Sequence, residues 1–304
     1  MTQETGRMTP DWIIDPFTIV DGGLSTALEE LGHRSDGLLW TAQLVIDHPD
    51  VVVEAHRRFV EAGAEIVISS SYQASVDGFV RAGLDSTGAR HALASTTHLA
   101  RRSGARFVAA SIGPFGASLG DGSEYHGRYE ASWTQVRAYH RERFQILADT
   151  GPDLFAIETI PGAAEAQIVL DELCRCDVPA WLSVTCADER STCAGDAVEH
   201  LAALADQCAS IAAFGVNCTD PRHVSSLLRR SASATDKALV AYPNHGRTWD
   251  AQSKCWIGDE GDHLTGRVGE WWQLGARLIG GCCGVGTDGV AHLLAARTAV
   301  GSST

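Results

Sequence analysis

Positive charge is scarce in this chain. Lys and Arg number 24 against 38 Asp and Glu in 304 residues, for a formal net charge of −14. A surface with that balance has little attraction for phosphate backbones, which argues against a nucleic-acid partner. Long apolar runs are missing too: nothing approaches the ~20 uninterrupted apolar residues that span a bilayer. Met1 to Trp12 is polar, with no apolar segment behind a basic start. The expectation is a protein with no membrane span and no secretory signal, working in the cytoplasm. Linkers, low-complexity segments and sequence-level repeats are also lacking. What remains is a globular composition, 44% apolar and 20% charged. A chain of this length buries roughly 75% of its unfolded surface and needs no disulfide staples. Its nine cysteines, in a reducing compartment, therefore mean thiol chemistry, metal binding or core packing.

Short apolar or β-branched runs alternate with helix-like segments along the chain. The expected strands are Phe17–Asp21, Glu65–Ser70, Arg106–Ile112, Leu154–Glu158, Ala180–Thr185, Ala212–Asn217, Ala238–Tyr242 and Arg277–Gly280. From Pro49, the residues Val52, Ala55, His56 and Phe59 share one helical face, closing at Gly63. Ser132 with Gln135 forms a capping-box pattern for a helix ending near Asp149. Asp220-Pro221 offers an N-cap followed by Pro at the first helical position. Ala163–Cys174 and Asp196–Cys208 complete the clearer helices. Eight strand-then-helix units in about 300 residues predict an α/β fold, a (β/α)8 TIM barrel forming a single domain with its core at about 17–297. A doubly wound open sheet is the alternative that periodicity leaves open.

In such a barrel the site lies at the C-terminal ends of the strands. The residues there are polar, glycine-rich or thiol-bearing. Cys218 ends the sixth run, and Cys282-Cys283 end the eighth. Their linear spacing matches no zinc-finger pattern, yet strand ends six and eight share one mouth. Neighbouring residues on a strand point to opposite faces, so the vicinal pair converges on one ion only where the backbone turns irregularly; Gly280, Gly281 and Gly284 supply that freedom. Three thiolates suit a tetrahedral Zn2+ with its fourth position open, the arrangement of a catalytic site. The other cysteines (Cys174, Cys176, Cys186, Cys193, Cys208, Cys255) read as small buried hydrophobes, with Cys186 and Cys193 the competing ligand candidates.

The chain resembles the homocysteine S-methyltransferase family from about Phe17 to Ala296. The likeness is carried by Asp21-Gly22-Gly23-Leu24-Ser25-Thr26, Leu39-Trp40, Ser70-Ser71-Tyr72-Gln73-Ala74, Gly113-Pro114-Phe115-Gly116-Ala117, Asp121-Gly122-Ser123-Glu124-Tyr125, Glu158-Thr159-Ile160-Pro161, Gly215-Val216-Asn217-Cys218, Tyr242-Pro243-Asn244 and Gly280-Gly281-Cys282-Cys283-Gly284. The pattern looks most like the single-domain enzymes that use S-methylmethionine. It departs from the commoner wording at Gly23-Leu24-Ser25, which bears on packing of the first turn. The resemblance implies a zinc-dependent barrel, with Zn2+ on Cys218, Cys282 and Cys283, making methionine from homocysteine and a small methyl donor.

Roles for the other rim residues follow from that resemblance. Glu158 is expected to bind the homocysteine ammonium, or else to cap the following helix. Asp21 is a candidate for an ammonium contact or for stabilising the first helix start. Asn217 is expected to orient the metal site or to shape a turn. Tyr72, Asp121, Glu124, Tyr125 and Asn244 are candidates for the donor pocket, and Tyr129 lies on the same loop. Trp40 is read as packing, and His126 and His245 as solvated loop residues. S-methylmethionine is the first-choice donor, S-adenosylmethionine the second and betaine the third. The rival readings are another thiol methyltransferase, a thiol hydrolase and a non-catalytic zinc- or thiol-binding barrel.

Overall fold

The computed structural model describes residues 9–33, 41–246, 248–250, 255–257 and 264–301. Eight parallel strands form one sheet: β1 (Thr18–Ile19), β2 (Ile66–Ile68), β3 (Phe107–Ile112), β4 (Leu154–Ile160), β5 (Ala180–Val184), β6 (Ile211–Asn217), β7 (Ala238–Tyr242) and β10 (Ala276–Ile279), with a small antiparallel hairpin, β8 (Thr248–Asp250) and β9 (Cys255–Ile257), between the last two. Their order is β1-β10-β7-β6-β5-β4-β3-β2. The ring closes at β1 and β2 through one parallel bridge, Val20 to Ile66. Each expected strand is present, and the fold is a (β/α)8 barrel rather than an open sheet. The hairpin lies in the long connection between β7 and β10.

The seam between β1 and β2 is short of backbone pairing, and a side chain makes up part of the deficit. Asp21 N–H donates to the Ile66 carbonyl at 3.1 Å, and Ile68 N–H donates to Asp21 Oδ2 at 2.8 Å. A carboxylate thus stands where a further ladder bond would be.

Alternation along the strands separates two cores. Outward residues such as Phe155, Ile157, Phe214 and Val216 pack against the helical ring. Inward residues Val20, Ile66, Ala109, Leu154, Ala156, Trp181, Ala213, Val240, Tyr242 and Leu278 fill the barrel together with Trp12 from the N-terminal segment. Small side chains at Ala109, Ala156 and Ala213 leave room for the Trp12 and Trp181 rings, which meet edge to face with centroids 6.3 Å apart. The same period points Ser111, Glu158, Ser183 and Asn217 at the axis, toward the strand ends from this plug.

The helical signals behave as their chemistry dictates. Pro49–Ala62 buries Val52, Ala55, His56 and Phe59, and ends on Gly63 at φ 112°. Trp133–Ala148 carries the complete Ser132–Gln135 capping box. Asp220 caps Pro221–Ala232 through Arg222 N–H. Trp40 and the side chain of Cys255 lie outside the described residues. Cys186 and Cys208 are buried as expected, but Cys174 is exposed at its helix end. No helix among the described residues is long and apolar enough to cross a membrane.

Candidate active site

Three sulfurs meet at the barrel mouth. Cys218 Sγ lies 3.7 Å from Cys283 Sγ, Cys282 Sγ lies 4.0 Å from Cys283 Sγ, and all three fall within 4.8 Å of one another. Sulfurs on one tetrahedral ion with bonds of about 2.3 Å stand about 3.8 Å apart. The trio fits a single metal ion with little movement. The rival ligands Cys186 and Cys193 are not in this cluster.

The backbone device that brings the sulfurs together differs in part from expectation. Among Gly280, Gly281 and Gly284 only Gly284 takes a positive φ, 78°. A Cβ on Gly281 would fall 2.2 Å from Val285 Cγ1, so that glycine serves close approach. The chain past β10 is instead pinned by its neighbours. Gly281 N–H donates to the Asp21 carbonyl, Cys282 N–H to the Pro243 carbonyl and Val285 N–H to the Cys282 carbonyl. At Gly23, a Cβ would come 2.7 Å from the Cys282 carbonyl oxygen, so the glycine that opens the departing Gly23-Leu24-Ser25 segment allows the first turn to pack directly against the cysteine loop.

A second irregularity sits at Cys218 itself, left-handed at φ 47°, and at Thr159, φ 59°. Non-glycine residues are strained there, by about 1–2 kcal/mol each. Asn217 holds both. Its Oδ1 accepts from Thr159 N–H and its Nδ2 donates to Thr159 Oγ1, each at 2.7 Å, and its backbone leads directly into Cys218. Asn217 Nδ2 also approaches Cys282 Sγ at 4.0 Å. Just past β5, Thr185 Oγ1 donates to the Cys218 carbonyl at 3.2 Å. The Cys282 and Cys283 thiols, with the Tyr125 hydroxyl 3.7 Å away, hold the Cys218 thiol well below its ordinary range.

Buried carboxylates face this cluster. Glu158 accepts from Ser111 Oγ and has the Tyr242 hydroxyl beside it; burial pushes its carboxyl up to about 7. Glu124 is also pushed up to about 7 by burial, and its Oε2 has no partner. Asp21 is raised well above the carboxylate range, by burial first; its Oδ1 is unpartnered while Oδ2 serves Ile68. Tyr72 lies over Gly113, with its hydroxyl toward Thr159, and burial raises it.

The remaining candidates fall elsewhere. Asp121 is exposed, and its Oδ1 accepts from Ser123 N–H at 2.9 Å in a local turn. Asn244 likewise shapes a turn, accepting from Gly246 N–H. Tyr129 gives its hydroxyl to Glu165 and packs against Phe115. His126 is exposed, whereas the His245 ring covers Gly284.

Several contributors escaped the sequence reading. Arg143 is fully buried and donates to the carbonyls of Gly113, Ser71 and Tyr72, tying the ends of β2 and β3 together. Its place on the buried stripe Val136–His140–Arg143–Leu147 was the available signal. Glu165 accepts from Phe115 N–H at 2.6 Å, from His140 Nε2 at 2.8 Å and from the Tyr129 hydroxyl. It grips both ends of the loop that carries Glu124 and Tyr125.

A family model described as homocysteine S-methyltransferase matches residues 18–297. The chain belongs to the homocysteine S-methyltransferase family. Among curated members, homocysteine S-methyltransferase 4 of Zea mays is 40% identical over 289 residues, covering 87% of this chain and 84% of its own. Homocysteine S-methyltransferase 1 of Arabidopsis thaliana is 38% identical, covering 87% and 88%. The metallated form of the homocysteine methyltransferase MmuM from Escherichia coli superposes with a TM-score of 0.82 at 32% identity, covering 92% of this chain and 96% of that one.

Proposed function

We propose that this barrel makes methionine by moving a methyl group from S-methylmethionine to homocysteine at a zinc ion held by Cys218, Cys282 and Cys283. The observation that carries the reading is the sulfur trio at the mouth, with Glu158, Asp21 and Glu124 buried around it. The family relationship, and the homocysteine methyltransferase names of relatives covering most of this chain, support the reaction. Zinc suits an all-thiolate donor set. When bound, it supplies the positive charge that keeps an incoming thiol deprotonated at neutral pH.

The chain's own residues do the rest. Partly satisfied carboxylates away from water favour cations, because an arriving ammonium restores the charged form that burial disfavours. In this reading Glu158, fixed by Ser111 and Tyr242, takes the homocysteine ammonium, and Asp21 Oδ1 adds a second acceptor. Asn217 keeps Cys218 and Thr159 in their strained geometry. The substrate sulfur then attacks the methyl carbon in line, the bond from carbon to the sulfonium sulfur breaks, and the electron pair stays on the departing thioether. The thiol proton has gone to solvent beforehand, so no general base acts at the transfer. Holding the two sulfurs in near-attack geometry supplies up to ~7–11 kcal/mol of the barrier reduction.

The donor reading rests on Glu124, Tyr125 and Tyr72. Asp121 and Tyr129, first grouped with them, are engaged in loop structure. A sulfonium suits a desolvated carboxylate beside aromatic faces. The test compares kcat/KM for S-methylmethionine, S-adenosylmethionine and betaine with homocysteine as acceptor, with and without a chelator. The expected order is S-methylmethionine first, with activity abolished by the chelator and restored by zinc. Preference for betaine overturns the sulfonium reading. Full activity after complete metal removal overturns the zinc reading.

A further inference from the structure

A second pair of thiols lies away from the mouth. Cys174 and Cys208 follow two successive helices of the ring, Ala163–Leu173 and Val198–Gln207, and take the C-cap position of each. Those helix ends belong to the barrel face from which β5 and β6 start, remote from the strand ends that carry Cys218 and Cys282. The two helices pack side by side, and Cys174 Sγ stands 3.9 Å from Cys208 Sγ. This is van der Waals contact between sulfurs from segments 34 residues apart. One partner is reachable and the other is not: Cys174 is exposed, while Cys208 is buried. The backbone on the buried side is pinned, because Lys237 Nζ donates to the carbonyls of Cys208 and Ile211 at 2.6 Å each. On the exposed side, Cys174 ends a helix, where a small adjustment costs little.

We infer that Cys174 and Cys208 form a reversible disulfide site, oxidised by low-molecular-weight disulfides of the glutathione class and separate from the metal-site thiols. The Cys174 thiolate attacks one sulfur of the small disulfide and expels the other half as a thiolate, leaving a mixed disulfide on Cys174. Cys208, its proton lost to solvent, then attacks Cys174 Sγ and expels the second half. Two protein thiols lose two electrons, and the small disulfide is reduced to two thiols. Exposure makes Cys174 the point of entry, and contact makes Cys208 the resolving thiol. Partial burial and the neighbouring Cys208 sulfur push the Cys174 thiol up, so the first step quickens as pH rises. The bond closes a loop containing β5 and one ring helix, which restrains the unfolded chain and raises Tm by about 5 °C.

The test uses the zinc-loaded protein equilibrated against graded ratios of oxidised to reduced glutathione, then acid-quenched and alkylated. Intact mass and peptide mapping are the readouts. The expected result is a crosslinked peptide joining Cys174 to Cys208, reversed by a dithiol, with kcat unchanged and Tm raised. Cys208→Ser should stop at the mixed disulfide on Cys174, and Cys174→Ser should give no crosslink. Separate alkylation of both cysteines at every ratio overturns the inference, as does wild-type protein that stalls at the mixed disulfide. A crosslink mapped to Cys218, Cys282 or Cys283 instead also overturns it. The readout needs no methyl transfer, so it stands apart from the functional reading.

Discussion

Glu158 and Glu165 sit on either side of the β4 end, and both are nearly closed to solvent, at 6% and 1% exposure. Their surroundings differ. Glu165 receives a backbone N–H, a histidine nitrogen and a tyrosine hydroxyl, so its oxygens are filled by the protein. Glu158 has hydroxyl partners only, and burial holds its carboxyl up to about 7. Glu124 repeats the pattern at the mouth, with an oxygen that finds no donor. The helical ring satisfies its carboxylates, and the mouth leaves its own short of charge compensation. A buried acid that the fold completes is architecture; one that the fold leaves short is a place for a cation.

The largest effect expected is at the sulfurs that these acids surround. Cys218→Ala should remove bound zinc and lower kcat/KM by about 1000-fold or more. Metal content by elemental analysis beside turnover checks it, and retained zinc with full activity would break the assignment.

Glu158→Gln sharpens the contrast directly. Losing a charge-assisted contact to an ammonium costs about 1.5–3 kcal/mol, roughly 10- to 150-fold in homocysteine affinity. Zinc should stay in place. The same group gives a pH signature. Its carboxyl must ionise to take an ammonium, so binding of methionine, which has no ionisable thiol, should tighten as pH rises through about 7. Titration calorimetry across that range reads it. The variant should flatten the slope, and an unchanged slope would remove Glu158 from the role.

Glu165→Gln tests the saturated member. Weakening its grip on Phe115 and Tyr129 loosens the loop that carries Glu124 and Tyr125. The KM for the methyl donor should rise about 3- to 10-fold, with that for homocysteine moving less than about twofold. Equal changes in both would make the residue a general stabiliser.

The smallest effect belongs to His56, a ring residue with neither satisfaction nor a ligand role. Both its nitrogens are buried without partners, and burial lowers it to about 4. The unfolded chain therefore binds more protons than the native one below the ordinary histidine value of about 6.5. Stability is lost as pH falls through that window, by about 1 kcal/mol between pH 6.5 and 5.5. His56→Leu should reduce that slope in chemical denaturation, with activity unchanged.

The strands were readable because each is a short apolar run, and the candidate site because thiols, acids and glycines gather at the expected strand ends. Other parts were harder to read for physical reasons. The helix Ser86–Arg101 buries Ala89, Leu93, Thr96, Thr97 and Ala100, a stripe of small and hydroxylated residues that mutes the apolar period. Asp121 and Tyr129 stand on the right loop but turn away from the mouth, and an irregular loop has no period that tells which way a side chain faces. The partners of Glu158 come from β3 and β7, a proximity that only the closed barrel creates.

Closure also orders events in time. β1 lies between β2 and β10, and Cys218 is made well before Cys282 and Cys283. A chain emerging from the ribosome carries one of the three sulfurs while its first strand still has no neighbour on that side. Only after Gly284 has left the exit tunnel can the last strand dock, seat the first and bring the thiols together. Assembly of the sulfur cluster is thereby deferred to the end of synthesis, and a chain interrupted before β10 leaves the ribosome with Cys218 alone of the three.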